Sequence, residues 1–115
     1  MTIVVAYKIT DLLFRAKIEK IAVGCLARYK ETLFMSELEA LEETTQESIV
    51  IVFDLMNTEN DLKSLSSMQS GTIALIGFYP HVEKEAASKA IAVGIINLVP
   101  RSALETKLKS LLRKA

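Results

Sequence analysis

Five short apolar runs recur along this chain of 115 residues, and a segment with helical periodicity follows each of them. Most positions within the runs are apolar without alternation, as strands covered on both faces require. They predict strands at Ile3–Tyr7, Cys25–Tyr29, Ile49–Leu55, Thr72–Phe78 and Ile95–Val99. Alternating strands and helices with short connections are typical of an α/β domain, in which helices cover a parallel sheet.

The first helix is predicted by apolar residues at helical spacing, with Thr10 or Asp11 as its N-cap. The second helix is predicted by an apolar stripe that contains Phe34, Leu38 and Leu41. Because the strands are apolar on both faces, we expect the helices to cover the sheet on each side.

The third helix is predicted to begin at Asn57 or Thr58, just after the strongest strand. An alanine-rich helix over Val82–Gly94 follows the fourth strand. The last helix begins with Ser102 and Glu105, which form a capping box. Five strand–helix units fill the chain and leave no linker, so we expect one domain over residues 1–115.

Composition excludes several functional classes. Lys and Arg total 14, as do Asp and Glu, so no bulk positive field attracts nucleic acid. No apolar run approaches the roughly 20 residues that cross a bilayer, and the start, MTIVVAYK, lacks the features of a secretion signal. One cysteine, Cys25, suits a reducing compartment, and one histidine with one cysteine gives no soft metal site. We expect a soluble cytoplasmic domain without metal or cofactor, binding neither nucleic acid nor membrane.

The fold class selects candidate site residues. Right-handed crossovers on a parallel sheet give a doubly wound domain, and five strands suit the order 2-1-3-4-5. A ligand site is then expected beyond the carboxyl ends of the strands, between strands one and three. Lys8 follows the first strand, Asp54 lies near the end of the third and Gly77 near the end of the fourth. His81 follows the fourth strand and Pro100 the fifth. We expect these five residues to form a candidate ligand pocket, with Lys8 as the cation nearest to Asp54.

Two segments resemble the receiver domain of two-component response regulators. SIVIVFDLM resembles the receiver strand that ends at the phosphate-accepting aspartate, here Asp54. AIAVGIINLVP resembles the helix, glycine and fifth strand that a Lys-Pro pair closes, here ending at Pro100. The resemblance covers essentially the whole chain in length and element order. It implies a flavodoxin-like five-stranded fold and a role in signal transduction.

The functional residues of receivers are mostly replaced. Receivers hold Mg²⁺ with two acidic residues at the end of the first strand, where this sequence has Ala6 and Tyr7. Gly77 stands where receivers have a phosphoryl-binding Ser or Thr, and Val99 where they have a lysine. Because Mg²⁺ needs more oxygen ligands than one aspartate supplies, phosphoryl transfer lacks its charge neutralisation. The resemblance thus implies a pseudo-receiver in which Asp54 is a relic of the phosphoacceptor.

Other functions stay open at this point. No catalytic residue is predicted, because a nucleophile elbow, a second histidine and a phosphate loop are all missing from the sequence. One alternative is a sensor that binds a small anion near Lys8, Asp54 and His81, although His81 can equally cap the following helix. Another is a phosphoacceptor with rearranged ligands such as Asp11. In a third alternative, Lys8 pairs with Asp54 and replaces the ion.

Charge is segregated along the chain. No Lys or Arg occurs between residues 31 and 47, whereas the first and last helices are rich in cations. This pattern predicts a domain with a basic face and an acidic second helix, which favours docking to a partner or reflects simple solvation. Receivers commonly make contacts through the fourth helix, fifth strand and fifth helix. Our leading hypothesis is a non-catalytic pseudo-receiver that contacts a protein partner, or forms a homodimer, through that face.

Overall fold

A computed structural model describes residues 3–32, 35–44 and 47–114, so the predicted contribution of Phe34 to the second helix lies outside the described residues. The five strands are β1 (Ile3–Lys8), β2 (Arg28–Glu31), β3 (Ser48–Asp54), β4 (Ile73–Tyr79) and β5 (Leu98–Pro100). All neighbouring strands pair in parallel, in the order β2-β1-β3-β4-β5. The predicted fold class and strand order are confirmed.

Helices cover both faces of this sheet. They are α1 (Leu12–Gly24), α2 (Met35–Thr44), α3 (Leu62–Ser67), α4 (Lys84–Ala92) and α5 (Leu104–Lys114). Three single-turn 3₁₀ helices precede α3 and α5, at Leu55–Asn57, Glu59–Asp61 and Arg101–Ala103. Among the described residues, no helix has the length and apolar character needed to span a bilayer.

The sheet separates two apolar clusters, because successive side chains of a strand point to opposite faces. On β3, Val50 and Val52 pack in the cluster with α1 and α5. Ile51 and Phe53 pack in the other cluster, with α2, α3 and α4. Both faces of the central strands are therefore buried, which explains their uninterrupted apolar sequences. By the same alternation, Asp54 belongs to the face of α1 and α5.

The second strand lies later than the sequence predicts. Backbone bonds from Cys25 N to Ile21 O (3.1 Å) and from Ala27 N to Ala22 O (2.9 Å) extend the end of α1 into the predicted strand. Leu26 adopts a positive φ of 59° within this turn. Because the turn takes up Cys25, Leu26 and Ala27 of the predicted strand Cys25–Tyr29, the observed strand is the more polar segment Arg28–Glu31.

The helix starts agree with the sequence in one case and differ in others. Asp11 caps α1, with Oδ1 accepting from the backbone N–H groups of Leu13 (3.0 Å) and Phe14 (3.2 Å). Helices α3, α4 and α5 begin later than the sequence predicts. A turn closed by a hydrogen bond from Glu83 N–H to Pro80 O (2.8 Å) precedes α4, and 3₁₀ turns precede α3 and α5.

Candidate functional site

Asp54 ends β3 and is buried, with 4% of its surface exposed. Its Oδ1 accepts a hydrogen bond from the backbone N–H of Met56 (3.0 Å), and Thr58 Oγ1 donates to its carbonyl oxygen (2.9 Å). These bonds cap the tight 3₁₀ turn that follows the strand. Asp54 therefore has a structural role in the loop between β3 and α3.

The cation next to Asp54 is Arg101, whose Nη2 lies 3.5 Å from Asp54 Oδ2. The guanidinium also lies over two aromatic rings, 5.3 Å from the centroid of Phe14 and 5.8 Å from that of Phe78. These two rings stack on each other, with centroids 4.6 Å apart. The carboxylate and the ring faces attract the same guanidinium, so together they hold it against the end of β3.

Sequence reasoning missed Arg101. It selected the last residues of each strand, and Arg101 lies in the 3₁₀ turn one residue beyond Pro100. The available signal was that Arg101 is the first cation after the fifth strand, at the edge where Asp54 ends the third.

The prediction that Lys8 is the cation nearest to Asp54 is wrong, and so is the alternative in which Lys8 pairs with Asp54 and replaces the ion. Lys8 Nζ forms an ion pair with Asp61 Oδ2 at 3.2 Å. The reason is register: Lys8 pairs with Phe53 rather than with Asp54, so its side chain points to the face of α3. The sheet separates Lys8 from Asp54.

The neighbours of Asp54 across the sheet are apolar. Asp54 pairs in register with Phe78 of β4, and Phe78 pairs with Val99 of β5. The expected position of Gly77 beside Asp54 is wrong, because a Cβ on Gly77 would meet Phe53 and Leu98 side chains at 3.0 Å on the opposite face. On the α1 and α5 face, Phe78 of β4 and Val99 of β5 therefore offer Asp54 neither a hydroxyl nor an ammonium group.

His81 and Pro100 lie on the same side as Arg101. They line a shallow depression together with Phe14, Lys17, Pro80, Arg101 and Ser102. His81 is exposed and does not cap α4, since that helix begins at Lys84 with Glu83 as its N-cap residue. The five residues of the predicted pocket therefore divide between the two faces of the sheet, and binding of a ligand there remains a prediction.

Tyr7, which the sequence resemblance matched to an acidic position of receivers, is buried in the first strand. The Tyr7 hydroxyl donates to the Glu19 carboxylate, and Arg15 lies 5.7 Å from the centre of the Tyr7 ring. Arg15 in turn pairs with Glu31 of β2. This network joins β1, β2 and α1 on the same face of the sheet as Asp54. Burial, followed by the hydrogen bond to Glu19, raises the pKa of Tyr7 to about 12.

Tyr7 makes stability pH-dependent in strong alkali. With a folded pKa of about 12 against about 10 when unfolded, the folded state holds the phenol proton more tightly. Stability is therefore fully present below pH 10 and decreases as the pH rises towards 12, by up to about 1.4 kcal/mol for each pH unit. We expect Y7F to lack this loss in urea unfolding measured from pH 9 to 12, and Y29F to retain it. Identical pH slopes for Y7F and the wild-type protein would contradict the assignment.

Metal-binding geometry is not found at this edge of the sheet. Within residues 3–32, 35–44 and 47–114, no group of three or more His, Cys, Asp or Glu side chains could hold a metal ion. Asp11, the candidate for a rearranged ligand set, uses its Oδ1 to cap α1. Asp54 is paired with Arg101, and Asp61 with Lys8.

The parallel order 2-1-3-4-5 and a buried aspartate at the end of β3 define a receiver-like α/β fold. Comparison with solved structures confirms the fold. A response regulator from Thermotoga maritima superposes with a TM-score of 0.75 at 9% identity, covering 99% of this chain and 97% of its own. A response regulator receiver protein from Burkholderia phymatum gives a TM-score of 0.69 at 14% identity, with coverage of 97% and 94%. No protein-family model and no curated protein matches the sequence.

Proposed function

We propose that this domain is a non-catalytic, receiver-like signalling module that acts through protein contacts and is not switched by phosphorylation of Asp54. The observation that carries the proposal is the environment of the Asp54 carboxylate. One oxygen caps the following turn, and the other faces the Arg101 guanidinium. Both oxygens are therefore already engaged by groups of the chain itself.

Acyl phosphate formation would require a different environment. The carboxylate must approach an anionic phosphoryl group, and this repulsion is normally offset by a divalent cation with several oxygen ligands. Arg101 supplies one fixed positive charge, but a guanidinium does not organise octahedral ligands around a phosphoryl group. Phe78, which pairs with Asp54 in the sheet, and Val99, which pairs with Phe78, cannot donate hydrogen bonds from their side chains. We infer that Arg101 holds the domain in one constitutive state.

Contacts with a protein partner or a second copy are proposed for the face of α4, β5 and α5. Two large aliphatic side chains are exposed there, Ile91 on α4 (63%) and Ile96 in the segment before β5 (80%). Ala87 and Ala90 are buried against the sheet, whereas Ala92 is exposed. The outer surface of α4 therefore contains small and aliphatic residues, which suit close approach by another protein surface.

The test of this function uses acetyl phosphate. We expect the intact mass of the protein to stay unchanged after incubation with acetyl phosphate and Mg²⁺, because Asp54 cannot form an acyl phosphate. A receiver with the full set of acidic residues, treated in parallel, shows that the reagent is active. An added phosphoryl group on the wild-type protein that is absent from D54N would contradict the proposal.

A second candidate function, binding of a small anion, is favoured by the depression beside Arg101. Lys17, His81 and Arg101 bring up to three positive charges to its lining, and Ser102 adds a hydroxyl. The position differs from the predicted one, since Lys8 lies on the other face of the sheet. Saturable changes in the NMR signals of His81 and Lys17 on addition of inorganic phosphate would favour this function over the first.

A further inference from the structure

A groove between α1 and α5 is rich in cations. Lys17 and Lys20 line it from α1, and Lys109 and Arg113 line it from α5, around a volume of about 450 Å³. Its one carboxylate, Glu105, pairs with Lys109 at 3.1 Å and with Lys17 at 3.9 Å. Positive charge therefore exceeds negative charge in the lining of the groove.

Two of these cations are available to an external anion. Lys20 and Arg113 are exposed, and neither has an ion-pair partner within the described part of the chain. The groove also has an apolar part, to which Ile21 and Cys25 contribute. Cationic groups beside a partly apolar surface suit a helix that carries exposed carboxylates.

The chain itself carries such a segment on the opposite face of the sheet. Glu39, Glu42 and Glu43 of α2 are exposed and lie within one turn of the helix, so they share one side of it. Leu38 and Leu41 attach the helix to the sheet. No ion-pair partner for these three carboxylates occurs among the described residues, and the sequence has no Lys or Arg between residues 31 and 47.

We propose that a second copy of this chain docks the carboxylates of its α2 into the α1–α5 groove. The net charge of the chain is zero, so two copies do not repel each other as whole molecules, although their faces are oppositely charged. The two surfaces lie on opposite faces of the sheet and are different from each other. The contact is therefore head-to-tail, and it can repeat to form assemblies longer than a dimer.

The strength and salt dependence of this contact follow from its exposure. Ion pairs between exposed groups are individually weak, so the association requires high protein concentration. Screening acts over about 10 Å at 0.1 M salt and about 3 Å at 1 M, so added salt weakens the contact. The contact uses neither Asp54 nor the outer surface of α4. D54N is expected to associate as the wild-type protein does, so this inference and the proposed function can fail independently.

Two charge-reversed variants test the proposal by sedimentation velocity at about 0.5 mM protein and about 50 mM NaCl. K20E/R113E reverses the groove, and E42K/E43K reverses α2; all four side chains are exposed. We expect each variant alone to be monomeric. In a mixture of equal amounts, the reversed groove of K20E/R113E faces the reversed α2 of E42K/E43K, and the unchanged groove of E42K/E43K faces the unchanged α2 of K20E/R113E. Both contacts then join opposite charges, and the average mass should rise above that of a dimer.

The control is K30E/K63E, which reverses two exposed lysines on β2 and α3 and has the same net charge as K20E/R113E. It should associate as the wild-type protein does. For both proteins, we expect the apparent dissociation constant to be at least about tenfold larger in about 500 mM NaCl than in about 50 mM NaCl. Circular dichroism verifies that all variants are folded. The proposal is overturned if the wild-type mass does not depend on concentration, or if the mixture remains monomeric or stops at a dimer.

Discussion

The F78A variant is expected to lose about 3–5 kcal/mol of unfolding free energy. Phe78 is completely buried in the cluster of α1 and α5, and its ring stacks on Phe14 with centroids 4.6 Å apart. Removing the ring leaves a cavity in the sheet and takes away one of the two aromatic surfaces under Arg101. Urea unfolding at neutral pH measures the loss.

The matched control for F78A is Y29A, which truncates a tyrosine on the edge strand that is 46% exposed. Its expected loss is below about 1 kcal/mol. A loss below about 1 kcal/mol for F78A as well would show that the Phe14–Phe78 stack does not support the end of β4 in solution.

The G77T variant is expected to lose about 1–3 kcal/mol of unfolding free energy. This change introduces a hydroxyl residue at the position that the sequence resemblance matched to the phosphoryl-binding Ser or Thr of receivers. At Gly77, however, an added Cβ would lie 3.0 Å from Leu98 Cδ2 and 3.0 Å from Phe53 Cε2, closer than normal carbon contacts. The new side chain would also point away from Asp54. We therefore expect G77T to be less stable and still unreactive towards acetyl phosphate.

Gly71 provides the control for G77T, because nothing lies within 4 Å of a Cβ added there. We expect G71A to change the unfolding free energy by less than about 0.5 kcal/mol. Wild-type stability in G77T, or an acyl phosphate formed by that variant, would refute the packing described for β4.

The fold could be predicted because the central strands are buried on both faces. Val4 to Tyr7 and Ile49 to Phe53 form uninterrupted apolar runs that suit only a covered parallel sheet. The edge strand β2 was predicted to start three residues and to end two residues too early. Its residues are polar and half-buried or exposed, whereas the apolar residues Cys25 and Leu26 belong to the turn that ends α1. Apolar patterns therefore locate the central strands better than the edge.

The candidate site was harder to predict because it depends on register. The order of strands brings Lys8 and Asp54 to the same edge of the sheet, as expected from the sequence. Which face each side chain points to depends on the pairing of Lys8 with Phe53, and a shift of one residue would reverse it. The contact with Arg101 depends further on a 3₁₀ turn after Pro100, which the sequence pattern does not reveal.

The most direct measurement is a titration of the isotope-labelled protein with MgCl₂, followed by NMR. The reporters are the amide of Met56, which donates to Asp54 Oδ1, and the guanidinium of Arg101, which faces Oδ2. Both oxygens are engaged, and the described residues form no group of three or more His, Cys, Asp or Glu side chains that could hold a metal ion. We therefore expect no saturable change in these signals up to about 20 mM Mg²⁺. A saturable change at Met56 with release of Arg101, lost in D54N, would show that Asp54 is a metal ligand.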